Sequence, residues 1–376
     1  MKKRLIGVVL SLVMTMGLFA GCGSSQKQEN APAPTQAATK QESAKPDAGQ
    51  AGKEAVEALK PDNVLKSGKY VIGLSNSYFG NTWRKQMVEA FTNAAKEAKA
   101  AGYISDYEIQ NGDGTVNSQI AQINSFILSK VDAIAICAAS PTALNSTIQK
   151  ALDAGIKVVA FDSIVELDGV YTMDYPWEQI GTDSVEFVAK KLGGKGNIVV
   201  VRGVSGAAPD KGIYAGITET LKKYPDIKLV QEVIGEASAT KTQEELIKVL
   251  PSLPEIDAVI THCGGDAIGV VNAFEQAGKE TPIIIGDNTA EFINWWSEKK
   301  DYETLSQGST PGCGAAAFWT ALDILNGYDV PKKMMLAVPH ITNDNLKDYQ
   351  GMKPGTFVSP NFTNEYVIKN IIDAAK

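Results

Sequence analysis

Carboxylates, amides and aromatic residues recur in this chain at one kind of place, just after short apolar runs. In chain order these positions hold Asn76, Tyr78, Phe79, Asp162, Asp266, Asp287 and Gln307, with Trp83 and Arg84 in the helical stretch that follows the first group. Side chains of these types hydrogen-bond and stack, which is the chemistry of holding a small polar ligand. Catalysis or metal binding would call for a different set. The chain has two histidines, His262 and His340, and no Cys/His cluster at zinc spacing. Gly203-Val204-Ser205-Gly206-Ala207 lacks the last Gly of a nucleophile elbow, and no phosphate-cradling P-loop is present. No catalytic residue, metal or cofactor is therefore expected. His262 is expected to be buried and hydrogen-bonded, and Asp113 to be a turn residue before a helix capped near Thr115 or Asn117.

The apolar runs that must position these residues are Tyr70–Leu74, Tyr107–Ile109, Ala133–Cys137, Val158–Phe161, Ile198–Val201, Leu229–Ile234, Ala258–Ile260 and Ile283–Ile285. Short, β-branched and apolar throughout, they predict strands buried on both faces. Amphipathic stretches alternate with them, and several end in a Gly suited to a helix C-terminus: Gly102, Gly155, Gly193 and Gly278. Sustained β-α alternation predicts an α/β fold with doubly wound parallel sheets and right-handed crossovers. Ligands of such sheets sit beyond the carboxyl ends of the strands, where the candidate residues lie.

Ahead of the first strand the composition changes twice. Lys2, Lys3 and Arg4 precede an apolar run from Leu5 to Phe19, the layout of a secretory signal and too short to span a bilayer. Residues 23–60 are rich in Ser, Gln, Lys, Ala and Pro and contain no aromatic residue, so they cannot bury a core and read as a disordered tether. About forty flexible residues reach roughly 35 Å. The remaining body, 61–376, exceeds what one core supports, and two domains are expected. The net charge of −7 falls by the three signal cations to about −10, which disfavours a nucleic-acid partner. Besides Cys22 there are three cysteines, Cys137, Cys263 and Cys313, an odd number that excludes a fully paired disulfide framework.

The order and spacing of "YVIGLSNSYFGNTWRKQM", "VDAIAICAASPTAL", "GIKVVAFDS", "IDAVITHCGGDAIGVVNAF" and "PIIIGDN" resemble the ribose- and galactose-type periplasmic binding proteins, sugar-binding components of ABC importers. The resemblance covers residues 70–338. It implies two Rossmann-like lobes joined by three hinge crossings, near Gly181–Ser184, Gln307–Thr310 and Val338–Ile341. The implied lobes are 61–181 with 309–338, and 182–308 with 339–376. Leu18-Phe19-Ala20-Gly21-Cys22 likewise resembles a lipobox, implying cleavage ahead of Cys22 and acylation of its thiol. An extracytoplasmic, lipid-anchored monomer is the expectation, serving an ABC permease and its ATPase, or alternatively a sensor kinase or chemoreceptor. A repressor of the same fold would need a helix-turn-helix where this chain has signal and tether.

The resemblance places Asp162 and Asp287 on sugar hydroxyls. A neutral sugar, whether monosaccharide or polyol, also needs edge partners, for which Asn76, Asp266 and Gln307 are candidates, and stacking surfaces, for which Tyr78, Phe79 and Trp83 are candidates. Arg84 could donate to ring or hydroxyl oxygens. Two positions depart from the family pattern: Ile213 stands where an Arg is common, and Cys263-Gly264 replace an Asn-Asp pair. The missing Arg and the excess of acid argue against phosphorylated or carboxylated sugars.

Overall fold

The computed structural model describes residues 65–376, so the signal, the tether and Cys22 lie outside the described residues. From Leu65 the chain forms β1 (Val71–Asn76), α1 (Thr82–Ala100), β2 (Asp106–Asn111), α2 (Val116–Ser129), β3 (Ala133–Cys137), α3 (Asn145–Asp153), β4 (Lys157–Phe161) and β5 (Tyr171–Asp174). It then crosses to a second sheet with α4 (Trp177–Leu192), β6 (Lys195–Arg202), α5 (Ala208–Leu221), β7 (Asp226–Ile234), α6 (Ala239–Val249), β8 (Ala258–Thr261), α7 (Asp266–Gln276), β9 (Ile283–Ile285), α8 (Ala290–Ser297) and β10 (Ser306–Gln307). It returns as α9 (Cys313–Leu325) and β11 (Lys333–Met335), goes back as β12 (His340–Ile341), and ends with α10 (Asn364–Val367).

The first lobe is a parallel sheet in the order β11-β5-β4-β3-β1-β2, and the second a parallel sheet in the order β7-β6-β8-β9. Every residue of β3 and β8 is buried, as expected of strands covered by helices on both faces. Helix starts follow local chemistry: Asn81, Thr115, Ser238 and Thr289 each accept from a backbone N–H of the first turn of α1, α2, α6 and α8. Asp113 accepts from the Thr115 N–H in the turn before α2.

Two boundaries differ from those expected. The sequence places the first crossing at 181, but α4 runs unbroken from Trp177 and packs along α5 in the second lobe. The chain crosses at Tyr175-Pro176. Gly181 reads as a hinge residue but serves close packing: a Cβ there would come within 2.1 Å of the Ile213 carbonyl, and one on Gly216 within 2.0 Å of the Glu178 carbonyl. The sequence also assigns everything after 339 to the second lobe. Instead the last residues return to the first, where Phe362, Val367, Ile371 and Ile372 are buried with α9. Asn364 donates to both oxygens of Asp323 on α9 (2.9 and 3.0 Å). Among the described residues the backbone thus passes between the lobes four times. The tail signal was hidden because its apolar residues are too few to show a period.

Candidate functional site

A narrow cavity lies between the carboxyl ends of the two sheets, lined by residues of both. Larger hollows occur at the surface, between α1, α9 and residues 359–363, and beside β5 and β11. Neither lies at the strand ends where side chains of both lobes converge; a third does, between the start of α1 and Ala237–Thr240, and it shares Asn81, Ala237 and Gly264 with the cavity.

The first lobe brings Trp83, Arg84 and Asp162 to the cavity, joined by Asn81, Ser163 and, from the second crossing, Ser309. Asn81 caps α1, and this aims Trp83 and Arg84 from its first turn. The Trp83 indole N–H donates to the Ser309 carbonyl (3.3 Å). Arg84 donates through Nη1 to Asn76 Oδ1 (3.1 Å) and to Cys137 Sγ. Asp162, the residue after β4, adopts the left-handed region, φ 59°, a conformation that Asp tolerates better than most residues. Its Oδ2 accepts weakly from Ser163 Oγ (3.4 Å) and lies 3.7 Å from Cys137 Sγ. Its Oδ1 is buried with no partner in the protein. Burial raises the Asp162 carboxyl above its ordinary range, with Arg84 and the hydroxyl of Ser309 acting to lower it.

The second lobe contributes Val204, Ala207, Pro209, Asp210, Ala237, Cys263 and Gly264, and Trp177 stands at the start of α4. Trp177 Nε1–H donates to Asp174 Oδ1 (2.8 Å), which also accepts from the Tyr175 N–H. Asp210 is engaged bidentately by Arg202 (2.9 and 2.6 Å), accepts from the Gly203 N–H and lies 3.1 Å from His262 Nδ1. Burial alone would raise its carboxyl, but His262 and Arg202 outweigh that and hold it down at about 2. His262 is buried and hydrogen-bonded, in keeping with its reading from sequence.

The other sequence candidates lie elsewhere. Asp287 Oδ2 accepts from the Gly265 and Ala267 N–H groups (2.7 and 3.1 Å), and Oδ1 from Thr289 Oγ1 (2.8 Å). Its carboxylate caps the start of α7 and does not line the cavity. Asp266 accepts from the Ser238 N–H and from Thr242 Oγ1; Gln307 Nε2 donates to the Ile180 carbonyl and Ser184 Oγ, tying the second crossing to α4. Asn76 is spent on Asn111 and Arg84. Tyr78 bridges to Asp113 and Phe79 is 41% exposed; neither reaches the cavity wall. An Asp after a strand has the same signature whether it meets open space or the N–H groups of its own loop, so the sequence could not separate these cases. Among the residues it passed over, Trp177 was marked by its place beside a crossing, and Cys263 by its departure from the family pattern.

Residues 72–329 match the periplasmic binding protein domain family. The chain belongs to the ribose- and galactose-type periplasmic binding proteins. Relatives of this binding-protein chain include the xylitol-binding protein of Mycolicibacterium smegmatis, 27% identical over 243 residues, covering 63% of this chain and 68% of that one. The ribose import binding protein of Bacillus subtilis is 26% identical over 281 residues, 73% of this chain and 87% of that one. The crystal structure of an ABC transporter solute binding protein from Thermobispora bispora superposes with a TM-score of 0.77 at 37% identity, covering 82% of this chain and 96% of that one. These relatives are named for binding and transport, and the protein is not an enzyme. The family is extracytoplasmic. Among the described residues no helix is long and apolar enough to cross a membrane.

Proposed function

We propose that the protein captures a small neutral sugar in the cavity between its lobes and delivers it to an ABC permease, held at the membrane by an acylated Cys22. The observation that carries this reading is the buried, unpartnered Oδ1 of Asp162 beside Arg84, with Trp83 and Trp177 on the same cavity. An unpaired carboxylate oxygen in such a place is costly unless a donor arrives. A sugar hydroxyl supplies that donor, and the indoles offer faces to its C–H bonds. The charges support a neutral ligand: Arg84 acts on Asp162, and Asp210 is occupied by Arg202.

Because groups from both lobes touch one ligand, binding favours the state in which both touch it, and the crossings act as the hinge. Calorimetry of the soluble body against neutral monosaccharides and polyols tests the reading. Saturable binding of at least one, with a smaller radius of gyration in solution scattering, is the expected result. Binding confined to acidic or phosphorylated compounds would overturn it. For the anchor, Cys22→Ser should release the protein to the medium, and retention in the membrane fraction at the wild-type level would refute acylation.

A further inference from the structure

The two walls of the cavity differ in chemistry. The first-lobe wall offers Arg84, Ser163 and the free oxygen of Asp162. The second-lobe wall is built from Val204, Ala207, Pro209, Ala237, Cys263 and Gly264. Its one ionised side chain, Asp210, is already held by Arg202, the Gly203 N–H and His262. Of the two carboxylates behind this wall, Asp287 is taken up by donors at the start of α7 and by Thr289, and Asp266 accepts from Ser238 and Thr242 through Oδ1 while its Oδ2 is buried without a partner; neither lines the cavity.

The apolar wall is constructed rather than left over. Glu236 and Ala237 both adopt left-handed backbone, φ 55° and 57°, unfavourable for non-Gly residues and sustained only by their surroundings. The turn brings Ala237 to the cavity and against Gly264, where an added Cβ would fall 2.4 Å from the Ala237 methyl. Val204 lines this wall and stays 37% exposed. Cys263 adds a thiol, a small soft group that hydrogen-bonds weakly.

Resting on the sugar-binding reading above, we propose that the ligand is an amphipathic sugar. Its hydroxyls face Arg84 and Asp162, and a deoxy, O-alkyl or S-alkyl carbon faces Val204, Pro209, Ala237 and Cys263. A hydroxyl pressed against this second wall gives up water and meets no strong side-chain partner. A methyl or methylthio group there is favoured, and one such carbon in an apolar pocket is worth roughly 10–200-fold.

The test is calorimetry on matched pairs of one configuration: D-ribose against 5-deoxy-D-ribose and 5-methylthio-D-ribose, D-galactose against D-fucose, and L-mannose against L-rhamnose. The expected result is that the deoxy or S-alkyl member of at least one pair binds at least about tenfold tighter than its parent. Cys263→Asn, which sets an amide on the apolar wall, should shrink that ratio. Parents binding as tightly as their partners would overturn this proposal and leave sugar binding standing. Binding of no member of any pair would overturn this proposal, and the wider panel of neutral monosaccharides and polyols then decides the sugar-binding reading on its own. An unchanged ratio in a folded Cys263→Asn variant would refute the placement of the apolar carbon, and should that variant fail to fold, the wild-type ratio decides.

Discussion

Asp162 and Asp287 occupy equivalent places in the two lobes, each just beyond the carboxyl end of a strand, yet they do opposite work. Asp287 is surrounded by the Gly265, Ala267 and Thr289 donors of its own lobe, so its valence is spent on holding α7 and α8. Asp162 sits in a left-handed turn with no donor on Oδ1, the free valence on which the proposed sugar site rests. Residue type and strand position are shared. What separates a ligating carboxylate from a structural one is the count of N–H groups its neighbouring loop points at it.

The same contrast between served and under-served carboxyls gives the largest expected effect, on the pH dependence of stability. Asp323, in the first lobe, is buried with Asn364 as its partner, and burial lifts its carboxyl from an ordinary 3.8 to about 7. Between those values the folded protein holds a proton that the unfolded chain has lost, so stability declines as pH rises through the window and levels off above about 7. About three pH units correspond to on the order of 4 kcal/mol. Asp210, in the second lobe, has the opposite sign: held at about 2, it stabilises above its ordinary range, and that contribution fades as pH falls toward 2. Urea unfolding of wild type and Asp323→Asn at pH 4.5, 6 and 8 checks the first effect. The variant should show a much flatter decline, and parallel curves would assign the decline to other groups.

Exchanging the two strand-end carboxylates for alanine should split affinity from stability. Asp162→Ala should weaken binding of the identified sugar by about 1.5–3 kcal/mol, roughly ten- to more than a hundredfold, with little change in unfolding. Asp287→Ala should cost about 1–3 kcal/mol of stability by stranding buried donors at the start of α7. Calorimetry and chemical denaturation on both variants read the pair. Equal loss of affinity in the two would break the distinction drawn here, because Asp287 would then be touching ligand.

The smallest effect is expected at the first crossing. Trp177→Phe keeps an apolar ring on the cavity but removes the N–H that serves Asp174, whose carboxyl burial already lifts to about 6. A loss of about 0.5–1.5 kcal/mol in stability is expected at neutral pH, smaller at pH 5, where a protonated Asp174 depends less on the indole. A pH-independent loss would mean that ring packing, not the hydrogen bond, is what the indole supplies.

Much of this architecture was legible before any coordinate. The β-branched runs at Ala133–Cys137 and Ala258–Ile260 are apolar on both faces because both faces are covered, and that pattern, repeated with helices between, dictates doubly wound sheets. Asn81 and Thr115 mark their helix starts in residue type alone, since a short side-chain oxygen satisfies the orphan N–H groups wherever the chain folds. Trp83, Arg84 and Asp162 could be placed at the cavity because each follows its strand by a fixed local geometry. Those features depend on neighbours within a few residues. Tertiary structure decided the rest, because it depends on partners far away in sequence. It turned Asp287, Asp266 and Gln307 inward onto their own lobe, and it carried the tail from Ser359 back onto α9 to pair Asn364 with Asp323. It brought Val204, Ala237 and Cys263, from three separate loops, onto one wall. No local period encodes such a meeting, since each loop alone is satisfied with water as its neighbour and acquires its chemistry when the sheet sets the others beside it.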